Sequence, residues 1–174
     1  MTQPMAVIFM GVSGSGKTTA AQAFAQRMGW AFAEADEFHP PANIDKMSAG
    51  IPLQDEDRWP WLRDIRDWIS AKGEAGENVV LTCSALKRSY RDLLREAECD
   101  VRFVLLDVDY EVLTERMRSR KGHYMPVSLL DSQLATLERL TADEPGETIN
   151  AESTPESIVD QVIADMNLAK PSRL

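Results

Sequence analysis

Cysteine and histidine are scarce in this chain, with two of each among its 174 residues. The cysteines, Cys83 and Cys99, are too few for the disulfide framework of a small secreted domain, and neither has the spacing of a metal ligand. Cys83 ends an apolar run and is expected to be a buried thiol. The histidines, His39 and His123, have no partner at ligand spacing either. We therefore expect neither a disulfide framework nor a zinc site.

Positively charged residues are also few: the chain has 19 lysines and arginines and 28 acidic residues, which gives a formal net charge of -9. This balance argues against nucleic acid or an anionic membrane as the main partner. No apolar run approaches the roughly 20 residues that cross a bilayer, and the N-terminus lacks the pattern of a signal peptide. We expect a cytosolic protein whose residues 1–174 form one domain.

The most informative segment is residues 11–18, Gly-Val-Ser-Gly-Ser-Gly-Lys-Thr, which match the phosphate-binding pattern G-x-x-x-x-G-K-[ST]. Glycines let backbone N–H groups turn inward around phosphates, Lys17 can reach the β- and γ-phosphates, and the Thr18 hydroxyl can bind Mg²⁺. An apolar strand at residues 5–10 precedes the loop and a helix follows it, which is the expected context. The predicted nucleotide-binding residues here are Gly11, Ser13, Gly14, Ser15, Gly16, Lys17, Thr18 and Thr19.

Strands and helices alternate along the chain, which predicts a parallel sheet with helices on both faces. The predicted strands are residues 5–10, 30–33, 78–83, 101–107 and 148–151. The predicted helices are residues 19–28 ending at Gly29, a short one within 38–50, 57–72 stopped by Gly73, 89–97, 110–118, 128–140 and a last one opened by Thr154 and Pro155. The acidic stretch 143–152 is expected to be a solvated loop.

Ligands of open α/β sheets bind beyond the carboxyl ends of the strands, and polar residues follow three predicted strands here. They are the phosphate loop, residues 34–36 and residues 83–87. A hydroxyl nucleophile needs a carboxylate that accepts or orients its proton, and Asp36 is our candidate, with Glu34 assisting Mg²⁺ through water. The alternative is that both acids are solvated loop residues.

Asp107 competes with Asp36 as a functional acid, because an apolar strand that ends in Asp is typical of a Mg²⁺-positioning residue. Asp109 and Glu111 follow it, however, and this pattern favours an acidic helix start. We therefore rank Asp107 second.

The basic residues near these strand ends form two groups. The first could hold an anionic acceptor and consists of Arg58, Lys87, Arg88 and Arg91. The second lies in or beside a Gly-containing loop that could close over the phosphates and neutralise charge on the transferred group, and consists of Arg116, Arg120 and Lys121. Taken singly, each is more often a surface charge. We also expect Trp59, Trp61 and Trp68 to pack a helix rather than to stack on a ligand.

An ordered set of short segments resembles the gluconokinase family. The segments are residues 39–40, 43–44, 46–47, 50–53, 55–62, 83–87, 90–95, 120–125, 132–133 and 136–138. Each piece alone is weak, whereas the ordered set, which runs from the N-terminus to about Glu138, is specific. Two departures stand out: Glu34 is found where related kinases commonly have Asp, and the match is poor after Glu138, where adenine contacts around residues 150–154 are expected.

The resemblance implies a three-layer P-loop kinase fold, with a five-stranded parallel sheet in the order 2-3-1-4-5. It also implies an acceptor-binding segment at about 37–72 and a mobile lid at about 118–128. The implied activity is ATP- and Mg²⁺-dependent phosphorylation of D-gluconate on its 6-hydroxyl, and members of the family are often homodimers.

The resemblance also implies a role for each matching residue. The catalytic residues would be Lys17, Asp36 and Arg120. Arg116 and Arg120 would join the loop in binding ATP, and Thr18, with Glu34 through water, would serve the metal. The gluconate-binding residues would be Asp36, His39, Arg58, Ser84, Lys87, Arg91 and His123.

Three other functions remain in competition. The first is a kinase for another small hydroxy-acid, such as shikimate. A shikimate kinase would be expected to show Gly-Gly-Gly after the third strand, where this chain has Cys-Ser-Ala-Leu-Lys at residues 83–87. A nucleotide-dependent switch is disfavoured because we find no Asn-Lys-x-Asp guanine-reading motif. A nucleic-acid kinase is disfavoured by the net charge of -9 and the lack of a broad basic face.

Overall fold

The structure is a computed structural model that describes residues 4–119, 127–151, 154–166 and 168. Its strands are β1 (Met5–Met10), β2 (Ala31–Glu34), β3 (Val79–Thr82), β4 (Asp100–Asp107) and β5 (Gly146–Asn150). Its helices are α1 (Lys17–Met28), α2 (Pro41–Ser48), α3 (Asp55–Glu74), α4 (Arg88–Leu94), α5 (Tyr110–Ser119), α6 (Val127–Thr136) and α7 (Pro155–Asp165), with a 3₁₀ turn at Ala35–Phe38.

The five strands form one parallel sheet in the order β2-β3-β1-β4-β5, as predicted. β1 lies at its centre, where Ile8 pairs with Leu81 of β3 and with Phe103 of β4. A strand covered on both faces needs an unbroken apolar sequence, and residues 6–10 are all fully buried. Since the strands are parallel, the loops that follow β1, β2 and β3 meet at one edge of the sheet.

Successive β1 side chains enter two separate cores, one on each face of the sheet. Val7 and Phe9 pack into a core shared with α1 and α7, where the Phe9 and Phe24 rings lie 5.6 Å apart. Ala6, Ile8 and Met10 pack into the core beneath α3 and α4. Because successive side chains of a strand point to opposite faces of the sheet, the sheet is covered by helices on both faces and the fold has three layers.

Helix α3 corrects one predicted boundary, because it runs past Gly73 and ends at Glu74. A Cβ atom at Gly73 would lie 2.5 Å from the carbonyl oxygen of Glu98. The glycine thus permits close packing inside the helix and does not mark its end. The helix begins earlier than predicted as well, at Asp55, with a capping box between Gln54 and Asp57.

Two other predicted helices are shorter in the structure: α4 ends at Leu94 and α6 at Thr136. The predicted caps at the ends of α1 and α7 are confirmed, since Gly29 adopts φ 71° and the Thr154 side chain accepts a hydrogen bond from Ser157 N. In the ranges given above, no helix has the length and apolar character to cross a membrane.

Candidate active site

The phosphate loop is a tight turn between β1 and α1, closed by its own lysine. Lys17 Nζ donates hydrogen bonds to the carbonyl oxygens of Gly11, at 2.9 Å, and of Val12, at 3.0 Å. Gly16 caps α1 with φ 92°, and a Cβ at Gly11 would lie 3.0 Å from the Leu106 carbonyl oxygen. The loop needs glycine at both positions, and it sets a lysine ammonium beside the positive end of a helix.

Two helices contact this loop from outside it. Arg116 of α5 donates through Nη1 to the Gly14 carbonyl oxygen at 2.9 Å. On α6, the Gln133 side-chain oxygen accepts a hydrogen bond from Ser13 N at 2.7 Å. The predicted nucleotide-binding Arg116 therefore lies against the loop, and Gln133 is a neighbour that the sequence reasoning did not identify.

A cavity of about 270 Å³ opens beyond the carboxyl ends of β1, β2 and β3, near the lower end of the size range of small-molecule sites. Its phosphate side is lined by Ser13, Gly14, Gly16, Lys17 and Thr18. The other walls are Glu34, Asp36, His39, Met47, Ile51, Pro52, Leu53, Arg58, Trp61, Thr82, Cys83, Ser84, Leu86, Ser132, Gln133 and Thr136. One cavity thus joins the phosphate loop to the predicted acceptor-binding segment.

Both predicted acids reach the cavity. Glu34 ends β2 and is half-buried, while Asp36 lies in the following turn with its side chain 82% exposed. Together with the Thr18 hydroxyl they supply oxygen atoms, the ligands that Mg²⁺ prefers, and Mg²⁺ sites beside phosphates need only one or two carboxylates. The competing acid, Asp107, is instead paired with Arg139 at 3.0 Å, which supports ranking it below Asp36.

His39 is packed as a neutral imidazole. Its ring stacks on Trp61, with centroids 4.0 Å apart, and Trp61 Nε1 donates to the Ala35 carbonyl oxygen at 2.7 Å. Burial lowers the pKa of His39 to about 4, against an opposing effect of Asp36. Asn43 Nδ2 lies 3.1 Å from His39 Nδ1, so this nitrogen accepts and the proton is on Nε2. The cavity therefore has a neutral N–H donor here, and Trp61 packs its helix as expected.

Arg58 reaches the cavity from α3 and is held by a small polar cluster. Its Nη1 donates to the Tyr90 hydroxyl at 2.7 Å, and that hydroxyl donates to Asp55 Oδ1 at 2.5 Å. Lys87 Nζ also donates to Asp55, at 3.0 Å. Hydrogen bonds from Tyr90 and Lys87 lower the pKa of Asp55, and the bond to Asp55 raises the pKa of Lys87. Lys87 is thus an ion-pair partner at the edge of the site.

Arg91 is fully buried and makes a structural ion pair. Its Nε donates to Glu144 Oε2 at 2.6 Å and its Nη2 to Glu144 Oε1 at 3.0 Å. Its Nη1 donates to the Ala85 carbonyl oxygen at 2.8 Å. The donors of Arg91 thus serve the protein interior, and Arg91 is not among the cavity-lining residues, which argues against the predicted contact with gluconate. The expectation of a solvated loop at 143–152 is wrong: Glu144 is buried and β5 begins at Gly146.

The remaining predicted residues divide into two groups. Gly11 and Ser15 are buried within the phosphate loop, Thr19 is exposed on α1, and Ser84 lines the cavity. Arg120, Lys121 and His123, with most of the predicted lid, lie outside the described residues. The residues missed by sequence reasoning are Asp55, Tyr90 and Gln133. All three belong to segments that resemble the family, but spacing alone does not reveal which side chains meet.

Comparison with known sequences gives a consistent set of relatives. A family model described as an AAA domain matches residues 7–140. A gluconokinase of Gluconobacter oxydans 621H is 49% identical over 161 residues, which cover 92% of this chain and 90% of that protein. The thermosensitive gluconokinase of Escherichia coli K12 is 50% identical over 137 residues, covering 79% and 73%.

Solved structures agree with the sequence relatives. An unliganded sugar kinase from Janibacter sp. HTCC2649 superposes with a TM-score of 0.92 at 51% identity, covering 95% of this chain and 96% of that one. A gluconokinase from Sinorhizobium meliloti 1021 gives a TM-score of 0.85 at 45% identity, covering 96% and 94%. A shikimate kinase from Bacteroides thetaiotaomicron, at 20% identity with a TM-score of 0.68, shares the fold alone.

Proposed function

This chain belongs to the gluconokinase family of P-loop kinases, and we propose that it transfers the γ-phosphoryl group of ATP to the 6-hydroxyl of D-gluconate. The products are 6-phosphogluconate and ADP. The observation that carries the proposal is a single cavity lined by the phosphate loop on one side and by Asp36 and Arg58 on the other. A kinase for a small anionic acceptor needs both halves within one site.

Lys17 and Arg116 are proposed to serve the triphosphate. Lys17 is already held over the loop by the Gly11 and Val12 carbonyl oxygens, so its ammonium needs little ordering when phosphate binds. The Arg116 guanidinium lies 2.9 Å from the Gly14 carbonyl oxygen and places a second cation at the loop. Both cations would offset negative charge that shifts toward the leaving ADP in the transition state.

Asp36 is proposed to orient the acceptor hydroxyl and take its proton. As the gluconate O6 attacks the γ-phosphorus, the bond from that phosphorus to the ADP oxygen breaks and the hydroxyl proton passes to Asp36. The exposed Asp36 carboxylate at the cavity supports this role. The neutral His39 imidazole beside it supplies an N–H donor that can bind another acceptor oxygen.

Arg58 is proposed to bind the gluconate carboxylate. A guanidinium can donate two parallel hydrogen bonds to a carboxylate, and Arg58 lines the cavity. The Tyr90 hydroxyl restrains its orientation. The proposed roles of Ser84, Lys87, Arg120 and His123 rest on the family resemblance.

Mg²⁺ is proposed to bind with ATP, held by Thr18 and, through water, by Glu34, whose oxygen atoms suit this cation. When bound, it would neutralise phosphate charge. A homodimer and a cytosolic location are also proposals that rest on the family resemblance and the composition. Nucleic acid is not proposed as a partner, because the net charge is -9.

The test is an assay of ADP release, coupled to an indicator enzyme, with MgATP and a panel of acceptors that contains D-gluconate, related aldonic acids and shikimate. We expect D-gluconate to give the highest kcat/KM of the panel. Turnover of shikimate without turnover of gluconate would instead support the alternative kinase and overturn the proposal.

A further inference from the structure

One peptide group of the phosphate loop is held from both sides. The carbonyl oxygen of Val12 accepts a hydrogen bond from Lys17 Nζ at 3.0 Å. The N–H of the same peptide, which belongs to Ser13, donates to Gln133 Oε1 at 2.7 Å. The orientation of this peptide is therefore fixed by the loop's own lysine and by a side chain from a distant helix.

This peptide lies beside the Lys17 ammonium. In this motif the lysine reaches the β- and γ-phosphates, and here its ammonium lies on the Gly11 and Val12 carbonyl oxygens. Gln133 lines the same cavity as Lys17 and Gly14. A change at Gln133 would thus act where the γ-phosphate binds, and much less where the α-phosphate binds.

Helix α6 also connects this end of the loop to the acceptor side of the cavity. Just after the helix, Glu138 N donates to the Leu86 carbonyl oxygen at 2.7 Å, and Glu138 Oε1 accepts from Arg88 N at 2.9 Å. Leu86 lines the cavity in the loop that follows β3. Gln133 therefore lies on a helix whose C-terminal end is hydrogen-bonded to the loop that follows β3.

We propose that Gln133 is a positioning residue for phosphoryl transfer. By holding the Val12–Ser13 peptide, it orients this end of the phosphate loop, together with the Lys17 ammonium, toward the γ-phosphate. The predicted effect of Gln133 on turnover rests on the proposed function. Its predicted effect on nucleotide binding is measured without gluconate and does not depend on that function. A positioning role predicts a loss specific to the γ-phosphate, whereas a purely structural role would weaken all nucleotides equally.

The experiment compares the wild type with Gln133→Met and Gln133→Glu. Met matches Gln in length but has no oxygen to accept the hydrogen bond from Ser13 N. Glu keeps an acceptor oxygen and adds a negative charge near the phosphates. Affinities for ADP and for a non-hydrolysable ATP analogue are measured by calorimetry without gluconate. Steady-state kcat and KM follow with both substrates. Asp131→Asn is the control on the same helix, because Asp131 is exposed and bonds to Tyr110.

For Gln133→Met we expect the ATP analogue to bind about tenfold more weakly, ADP affinity to stay within about twofold, and kcat to fall at least about tenfold with the gluconate KM unchanged. Gln133→Glu should lose still more affinity for the ATP analogue because of charge repulsion, and Asp131→Asn should resemble the wild type.

Equal losses of ADP and ATP-analogue affinity, or wild-type values in both Gln133 variants, would overturn the proposal. If thermal unfolding shows that Gln133→Met does not fold, Gln133→Leu replaces it, because Leu also lacks an acceptor for the Ser13 N–H. If wild-type protein fails to phosphorylate gluconate, the proposed function fails, while the ratio of the two nucleotide affinities still judges the role of Gln133.

Discussion

The guanidinium of Arg91 and the carboxylate of Glu144 form a bidentate ion pair in which both side chains are fully buried. Burial opposes ionisation of Glu144, but the hydrogen bonds and charge of Arg91 outweigh it, so the pKa of Glu144 lies below its ordinary value. The same guanidinium donates to the carbonyl oxygens of Ala85 and Leu86. This pair therefore joins the segment before β5 to the loop that forms one wall of the cavity.

The first prediction concerns the stability that depends on this pair. Glu144→Gln leaves the Arg91 charge buried without its partner, and we expect the free energy of unfolding to fall by about 3–5 kcal/mol. The matched control is Asp143→Asn, since Asp143 pairs with Arg88 at the surface, and its effect should be much smaller. Urea denaturation of both variants measures the difference. Equal effects would contradict a structural role specific to the buried pair.

The second prediction concerns Asp36. Asp36→Asn keeps the size of the side chain but removes the proton acceptor, so kcat should fall by about 10²–10⁴-fold. Binding of ATP should survive, because the phosphate loop is unchanged. Glu37→Gln is the control, since Glu37 is the exposed neighbour and does not line the cavity. Near-normal turnover of Asp36→Asn would remove Asp36 from the proposed chemistry.

The third prediction concerns recognition of the acceptor carboxylate. Arg58→Ala should raise the gluconate KM by about 10- to 100-fold, because a charge-assisted bidentate contact is lost, while the ATP KM changes little. Arg63→Ala provides the control on an exposed position of the same helix. An unchanged gluconate KM in Arg58→Ala would exclude Arg58 from the acceptor site.

The fourth prediction uses the buried imidazole of His39. Because the folded pKa is lowered from 6.5 to about 4, the unfolded chain binds the extra proton first as pH falls. The stabilisation due to neutral His39 is complete above pH 6.5 and is lost as pH falls toward 4. Between pH 7 and pH 5 the stability advantage of wild type over His39→Gln should narrow by about 2 kcal/mol.

The comparison with His39→Gln is needed because a second group titrates in the same pH range and changes the stability of the protein in the opposite direction. Burial and a hydrogen bond with Asp165 raise the pKa of Glu147 to about 8. Its stabilising contribution is therefore present below its ordinary pKa and lost as pH rises through 8. Subtracting the two unfolding curves removes this shared effect. A stability difference between wild type and His39→Gln that widens on acidification would show that the pKa of folded His39 lies above 6.5, and it would contradict the prediction.

Much of the sheet follows from local sequence signals. The unbroken apolar sequence of residues 5–10 predicts a buried strand, and the caps at Gly29 and Thr154 depend on contacts between near neighbours. The structure agrees with each of these predictions. The phosphate loop is likewise a local motif. The interpretation of Gly73 as a helix end was wrong because its reason is a contact with Glu98, which is 25 positions away in the sequence.

The site was less predictable where side chains choose distant partners. From the sequence, Arg58 and Arg91 are equally good candidates for binding an anionic acceptor, because both are basic residues near predicted strand ends. In the structure, however, Arg58 lines the cavity and Arg91 is buried against Glu144. The difference depends on where the segment before β5 packs. The role of Gln133 is equally hard to predict from the sequence, since its partner Ser13 lies 120 positions earlier in the chain.

The proposed reaction is transfer of the ATP γ-phosphoryl group to O6 of D-gluconate. ³¹P and ¹H NMR of the reaction of purified protein with MgATP and D-gluconate tests it directly, because the coupling between phosphorus and the sugar-acid protons identifies the esterified oxygen. We expect equal amounts of ADP and of a phosphomonoester whose phosphorus is coupled to the two protons on carbon 6. Release of ADP with inorganic phosphate alone, or an ester at another hydroxyl, would contradict it.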